Sequence, residues 1–101
     1  MTSYFISYDI SQDRLRDKLA KLLQQKGCRR VQKSVFFVPD FSAKELKDLR
    51  FSVGRCVKGH LDPRDSILCI PVTKSRLADL VWEGQSSGLQ RSLNDDLHLL
   101  I

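Results

Sequence analysis

Asp9 is the residue of this chain best placed to do chemistry. It stands at the end of Tyr4-Phe5-Ile6-Ser7-Tyr8-Asp9-Ile10, a run whose β-branched and aromatic content predicts a strand. The next segment opens with Arg14 and Arg16 and reads as a helix. A carboxylate at a strand end, followed at once by arginines, suits phosphodiester chemistry. Magnesium keeps several waters and needs one or two protein carboxylates, with phosphate oxygens completing its shell. Bound there, it would polarise a phosphoryl group and activate water. Asp9 alone is a thin ligand set, whereas two copies of Asp9 facing each other across a dimer would be adequate. Taken as an isolated residue, Asp9 equally suits capping the following helix or satisfying a loop amide, the commoner work of a lone aspartate.

The basic residues are unevenly placed. Residues 14 to 33 hold Arg14, Arg16, Lys18, Lys21, Lys26, Arg29, Arg30 and Lys33 against one acid, Asp17, within a net charge of +5. After Arg76 the balance reverses, with Asp79, Glu83, Asp95 and Asp96 against Arg91. A basic front half fits a polyanion, because phosphate contacts release condensed counterions. A solvated helix face explains the same charges equally well. Arg30 can bind phosphate or line an edge strand. Ser34 has nothing nearby in sequence to activate it as a nucleophile, so hydrogen bonding at a strand break is its expected work. His60 sits in a Gly-His loop and His98 near the C-terminus, and neither has a partner in sequence.

The elements that must position these residues follow from periodicity. In the first strand Tyr4, Ile6 and Tyr8 share one face, and Phe5, Ser7 and Asp9 the other. Ser11 is a good N-cap, Leu15, Leu19, Leu22 and Leu23 recur at helical spacing, and Gly27 can supply the left-handed stop. Cys28 to Val31 and Val35 to Val38 read as two short strands around Gln32-Lys33-Ser34, with Pro39-Asp40 ending the second. Ser42 and Glu45 form a capping box, with Phe41 and Leu46 spaced as a hydrophobic staple. Leu46, Leu49, Val53 and Cys56 then mark the buried stripe of a second helix ending near Gly59. Asp62 to Asp65 is a turn. Ser66 to Val72 is nearly continuous in apolar residues, as a central strand covered on both faces would be.

The order β-α-β-β-α-β predicts an α+β, ferredoxin-like domain over residues 1–83, two helices on one face of an antiparallel sheet. A second protomer is the economical cover for the other face, which carries Ser7 and Asp9. Residues 77 to 83 offer a fifth short strand, and 84–101 form a tail whose apolar end, Leu97 to Ile101, has no assigned docking place. One domain is all that 101 residues allow. Cys28, Cys56 and Cys69 show no CxxC spacing and read as core residues of a reduced, cytoplasmic protein. No apolar run approaches the length of a membrane span, and the N-terminus lacks a signal-peptide pattern.

Tyr8-Asp9-Ile10, Arg14 and Arg16 opening a Leu-rich helix, and Gly27 followed by Arg30-Val31-Gln32-Lys33-Ser34-Val35-Phe36 together resemble the CRISPR-associated endoribonuclease family. Ser42 to Leu49 and Asp65 to Leu68 fall where that family has its second helix and fourth strand, so the resemblance covers roughly residues 3 to 83. It implies a ferredoxin-like homodimer whose last strand pairs with the partner protomer. It also implies that Asp9 is catalytic and binds Mg2+ or another divalent metal such as Mn2+. Arg14, Arg16, Arg30 and Lys33 would contact nucleic acid, RNA or DNA, with Tyr8, Ser34 and Phe36 supporting the site. Members act as metal-dependent endonucleases in spacer acquisition beside the CRISPR integrase subunit. The alternative role is a non-catalytic dimeric scaffold that binds DNA and bridges integrase subunits. Two features depart from the family: Phe37 stands where an acid is frequent, and the chain from Gly84 onward has no counterpart.

Overall fold

The computed structural model describes residues 2–84, so the tail, from residue 85, lies outside the described residues. β1 (Thr2–Asp9) is followed by α1 (Asp13–Gln25), β2 (Arg29–Gln32), β3 (Val35–Phe41), α2 (Ala43–Val57), β4 (Ser66–Val72) and a short α3 (Lys74–Leu77). The sheet order is β2-β3-β1-β4, and every pairing is antiparallel. This is the ferredoxin-like plan expected from the element order.

The alternation read from β1 sorts the two faces. Ile6 and Tyr8 are buried with Leu19 and Leu23 of α1, Leu49 of α2 and Phe36 of β3 in the main core. Full burial of a side chain of this size contributes about 1.5–3 kcal/mol. α1 ends where Gly27 takes φ +90°, a conformation that costs a glycine little. α2 opens with the expected capping box, Ser42 accepting from the Glu45 N–H and Glu45 from the Ser42 N–H. The second strand of the hairpin outruns its expected end: β3 continues through Pro39-Asp40 to Phe41. Asp40 bends there at φ 35°, and its N–H donates to the buried Ser3 hydroxyl at 3.0 Å. Its carboxylate lies 3.8 Å from the Lys74 ammonium. A side-chain acceptor thus replaces the ladder bond that the bulge interrupts.

Two expectations need correction. Ser11 does not cap α1: the N-cap is Gln12, without a side-chain cap bond, because the Ser11 hydroxyl is drawn to Asp62 and Asp65 instead. β4 is not a central strand. It pairs only with β1, at the sheet edge, leaving Leu68 58% and Ile70 46% exposed. Residues 77 to 83 form no strand within the single chain. Leu77 closes α3 and is buried with Val31 and Phe37 on the sheet face away from the helices, with Leu80 and Trp82 packed against them. A strand needs a neighbour with free backbone groups, and here the apolar side chains of the segment lie on the sheet instead. The chain therefore covers much of that face itself, over the β2–β3 side, where a second protomer was expected to do all of it.

Candidate functional site

β1 delivers Asp9 to one end of the sheet. Asp9 is exposed and pairs with Ser66 of β4, on the same face as Phe5 and Ser7 and away from the helices. The Tyr8 N–H donates to the Ser34 carbonyl at 3.0 Å, which closes the Lys33-Ser34 turn against the end of β1. Tyr8 itself points into the core, its ring stacked on Phe36 with centroids 6.3 Å apart. The guanidinium of Arg30 lies 5.2 Å from the Phe36 ring centroid. Tyr8, Ser34 and Phe36 thus hold the strand end that carries Asp9.

A second anchor holds the same corner, and sequence reasoning missed its reach. The Ser11 N–H donates to Asp65 Oδ1 at 3.0 Å, and its hydroxyl donates to Asp62 Oδ2 at 2.8 Å. The Asp62 N–H donates to Asp65 Oδ2 at 2.9 Å. The Asp62 and Ser11 backbone donors hold the Asp65 carboxyl below its ordinary value, since hydrogen bonds to the charged form favour it. The signal in the sequence was the Asp62-Pro63-Arg64-Asp65 string, legible as a turn but silent about its partner Ser11, between β1 and α1.

The basic candidates do not converge. Lys33 is exposed in the turn beside the end of β1. Arg16 forms an ion pair with Asp13 on its own helix turn. Arg14 lines a cavity of about 120 Å3 with Lys18 and His60. Arg30, on the edge strand β2, faces the helical side of the sheet through its partner Phe36. Of the predicted site, the structure assembles Tyr8, Asp9, Lys33 and Ser34 and leaves the three arginines apart. Among the described residues no three His, Cys, Asp or Glu side chains gather as a metal site. Among the described residues, what this strand end offers a metal is therefore one open carboxylate, Asp9. It fits magnesium only as part of a site completed by another carboxylate and phosphate oxygens.

The family model for the CRISPR associated protein Cas2 matches residues 1–79. The chain belongs to the Cas2 family. It is 39% identical over 69 residues to CRISPR-associated endoribonuclease Cas2 1 of Archaeoglobus fulgidus, an alignment covering 68% of this chain and 69% of that protein. It is 49% identical over 49 residues to CRISPR-associated endoribonuclease Cas2 2 of Synechocystis, covering 48% of this chain and 50% of that protein. A chain of a partial Cas6-RT-Cas1–Cas2 complex superimposes with a TM-score of 0.70 at 26% identity, over 81% of this chain and 90% of that one. Streptococcus pyogenes Cas2 shares the fold, with a TM-score of 0.66 at 20% identity over 81% and 99% of the two chains. Membership accounts for the fold. No helix among the described residues is long and apolar enough to cross a membrane.

Proposed function

We propose that the chain is a metal-dependent endonuclease of CRISPR spacer acquisition, working in the cytoplasm as a homodimer beside the integrase subunit. The observation that carries the reading is the position of Asp9, exposed at the end of β1 on the face where Leu68 and Ile70 of the edge strand are also uncovered. A two-fold mate laid on that face would bury both apolar residues and bring its own Asp9 toward the first, an isologous contact. The pair of Asp9 carboxylates, one from each protomer, would hold the metal. When bound, magnesium supplies charge for the phosphoryl oxygens and lowers the pKa of a water. The chain's own part is positional. Tyr8 and Ser34 hold the strand end, the Ser11–Asp65 anchor fixes the turn on its other side, and Lys33 stands ready for a backbone phosphate. The relatives' names support endoribonuclease activity, and the likeness to a Cas1–Cas2 complex chain supports the integrase partner.

The dispersal of Arg14, Arg16 and Arg30 and, among the described residues, the lone Asp9 carboxylate at the strand end favour one second reading, a dimeric scaffold that binds DNA and bridges integrase subunits without hydrolysis. Labelled single-stranded RNA and duplex DNA incubated with the purified protein, with magnesium and with chelator, separate the two. The nuclease reading expects cleavage that chelator abolishes. Undegraded substrate in both arms, with binding intact, hands the function to the scaffold.

A further inference from the structure

The helical layer carries a basic groove on the side of the sheet away from Asp9. Arg14, Lys18, Lys21 and Gln25 follow one another on α1 at i, i+4, i+7 and i+11, a single stripe about 16 Å long at the helical rise. Arg14 and Lys18 line the small cavity with His60. Lys18 also lines a larger one, of about 500 Å3, between α1 and α2, with Lys21 and Gln25 on one wall and Ser52 and Arg55 on the other. Lys18 lines both cavities, so the two lie side by side along α1. Among the described residues, Lys18, Lys21 and Arg55 have no carboxylate within ion-pairing distance, unlike Arg16, Lys74 and Arg76. Next to the groove Phe51 is 66% exposed, with the Arg55 guanidinium 5.9 Å from its ring centroid.

We propose that this groove binds single-stranded nucleic acid, with the sugar-phosphate backbone along Lys18, Lys21 and Arg55 and a base stacked on Phe51. Unpaired cations lining a concave track call for a polyanion. An exposed ring beside that track calls for a flat, unstacked base, and every base offers a face to it. An exposed ring can take only an unpaired base, so the groove favours a single strand over a duplex, whose bases are already stacked on one another. Arg55 lies over one face of the ring, which leaves the other face for a stacked base. Successive side chains of the stripe stand about 4.5–6 Å apart along the helix, comparable to the spacing of phosphates on an extended strand. The groove faces away from Asp9, so a strand held there leaves the sheet face open to a second protomer.

The test is fluorescence anisotropy of wild type, Lys21→Ala/Arg55→Ala and Phe51→Ala, on a labelled oligothymidylate and on a duplex of equal length, across a salt series. Thermal melts of each variant check the fold. The double variant is expected to bind the single strand at least tenfold more weakly and to lower its salt slope by about 1.4, at about 0.7 per cation removed. Phe51→Ala is expected to weaken single-strand binding about tenfold with the slope unchanged, and both losses should be smaller on the duplex. Lys74→Ala, on α3 and outside the groove, serves as the charge control and should bind the oligothymidylate as wild type does. Folded variants that keep wild-type single-strand affinity overturn the groove, as do losses of equal size on duplex and single strand.

Discussion

Cys28 shows how far burial alone changes a side chain in this fold. It is buried under α1, and desolvation, aided by the neighbouring Cys69, pushes its thiol up to about 11. A folded pKa above the unfolded value of about 9 means that the native state holds the proton more tightly. The stability this contributes is fully present below pH 9 and is lost as pH rises toward 11. Alkaline melting curves of wild type and Cys28→Ala check the sign: the wild type should lose stability more steeply over that interval. At pH 8 a thiol reagent should modify the exposed Cys69 first and reach Cys28 only on unfolding. Phe36 and Phe37 are neighbours on β3 and so point to opposite faces of the sheet, the first buried under the helices and the second against Leu77. Ser11 was misread because its partners lie 51 and 54 residues away, beyond what local capping rules can see.

At the scale of elements, the corner holding Asp9 depends on two contacts from different parts of the chain. One is the Tyr8–Ser34 backbone bond, and the other is the Ser11–Asp65 anchor. Asp65 is the titrating member, and its carboxyl is depressed by backbone donors. Its contribution is present above the ordinary carboxylate value of 3.8 and disappears as pH falls through the lower folded value. Asp65→Asn should therefore melt below wild type at pH 7, with the gap closing as both are taken into acid. A gap constant across that range would show that the charge is irrelevant to the anchor. β4 illustrates the limit of composition. Its unbroken apolar run reads as a doubly covered strand, yet the topology puts it at the edge. Sequence pattern reports that apolar residues need cover without reporting which chain provides it. The same holds for residues 77 to 83, where the apolar side chains were legible but their place on the sheet was not.

At the scale of the molecule, the uncovered edge predicts an assembly. Leu68→Lys with Ile70→Lys puts charges where a two-fold mate would lie, and fully burying each native side chain is worth about 1.5–3 kcal/mol. Light scattering at micromolar concentration should find wild type dimeric and the double variant monomeric, with helical circular dichroism unchanged. A wild type that is already monomeric would remove the basis for pairing two Asp9 carboxylates. The α+β plan and the residues around Asp9 were readable from periodicity and from one specific string of residues. The dispersal of the arginines was not, because neighbours along a helix and an edge strand need not share a face. The most direct test of the account is cleavage by Asp9→Asn beside wild type, on one nucleic-acid substrate with magnesium, with binding and oligomeric state measured on the same preparations. An amide carries no charge to neutralise the metal, while phosphate contacts lie elsewhere. The account predicts hydrolysis abolished in Asp9→Asn, binding kept and the dimer intact; cleavage by the variant at the wild-type rate would contradict it.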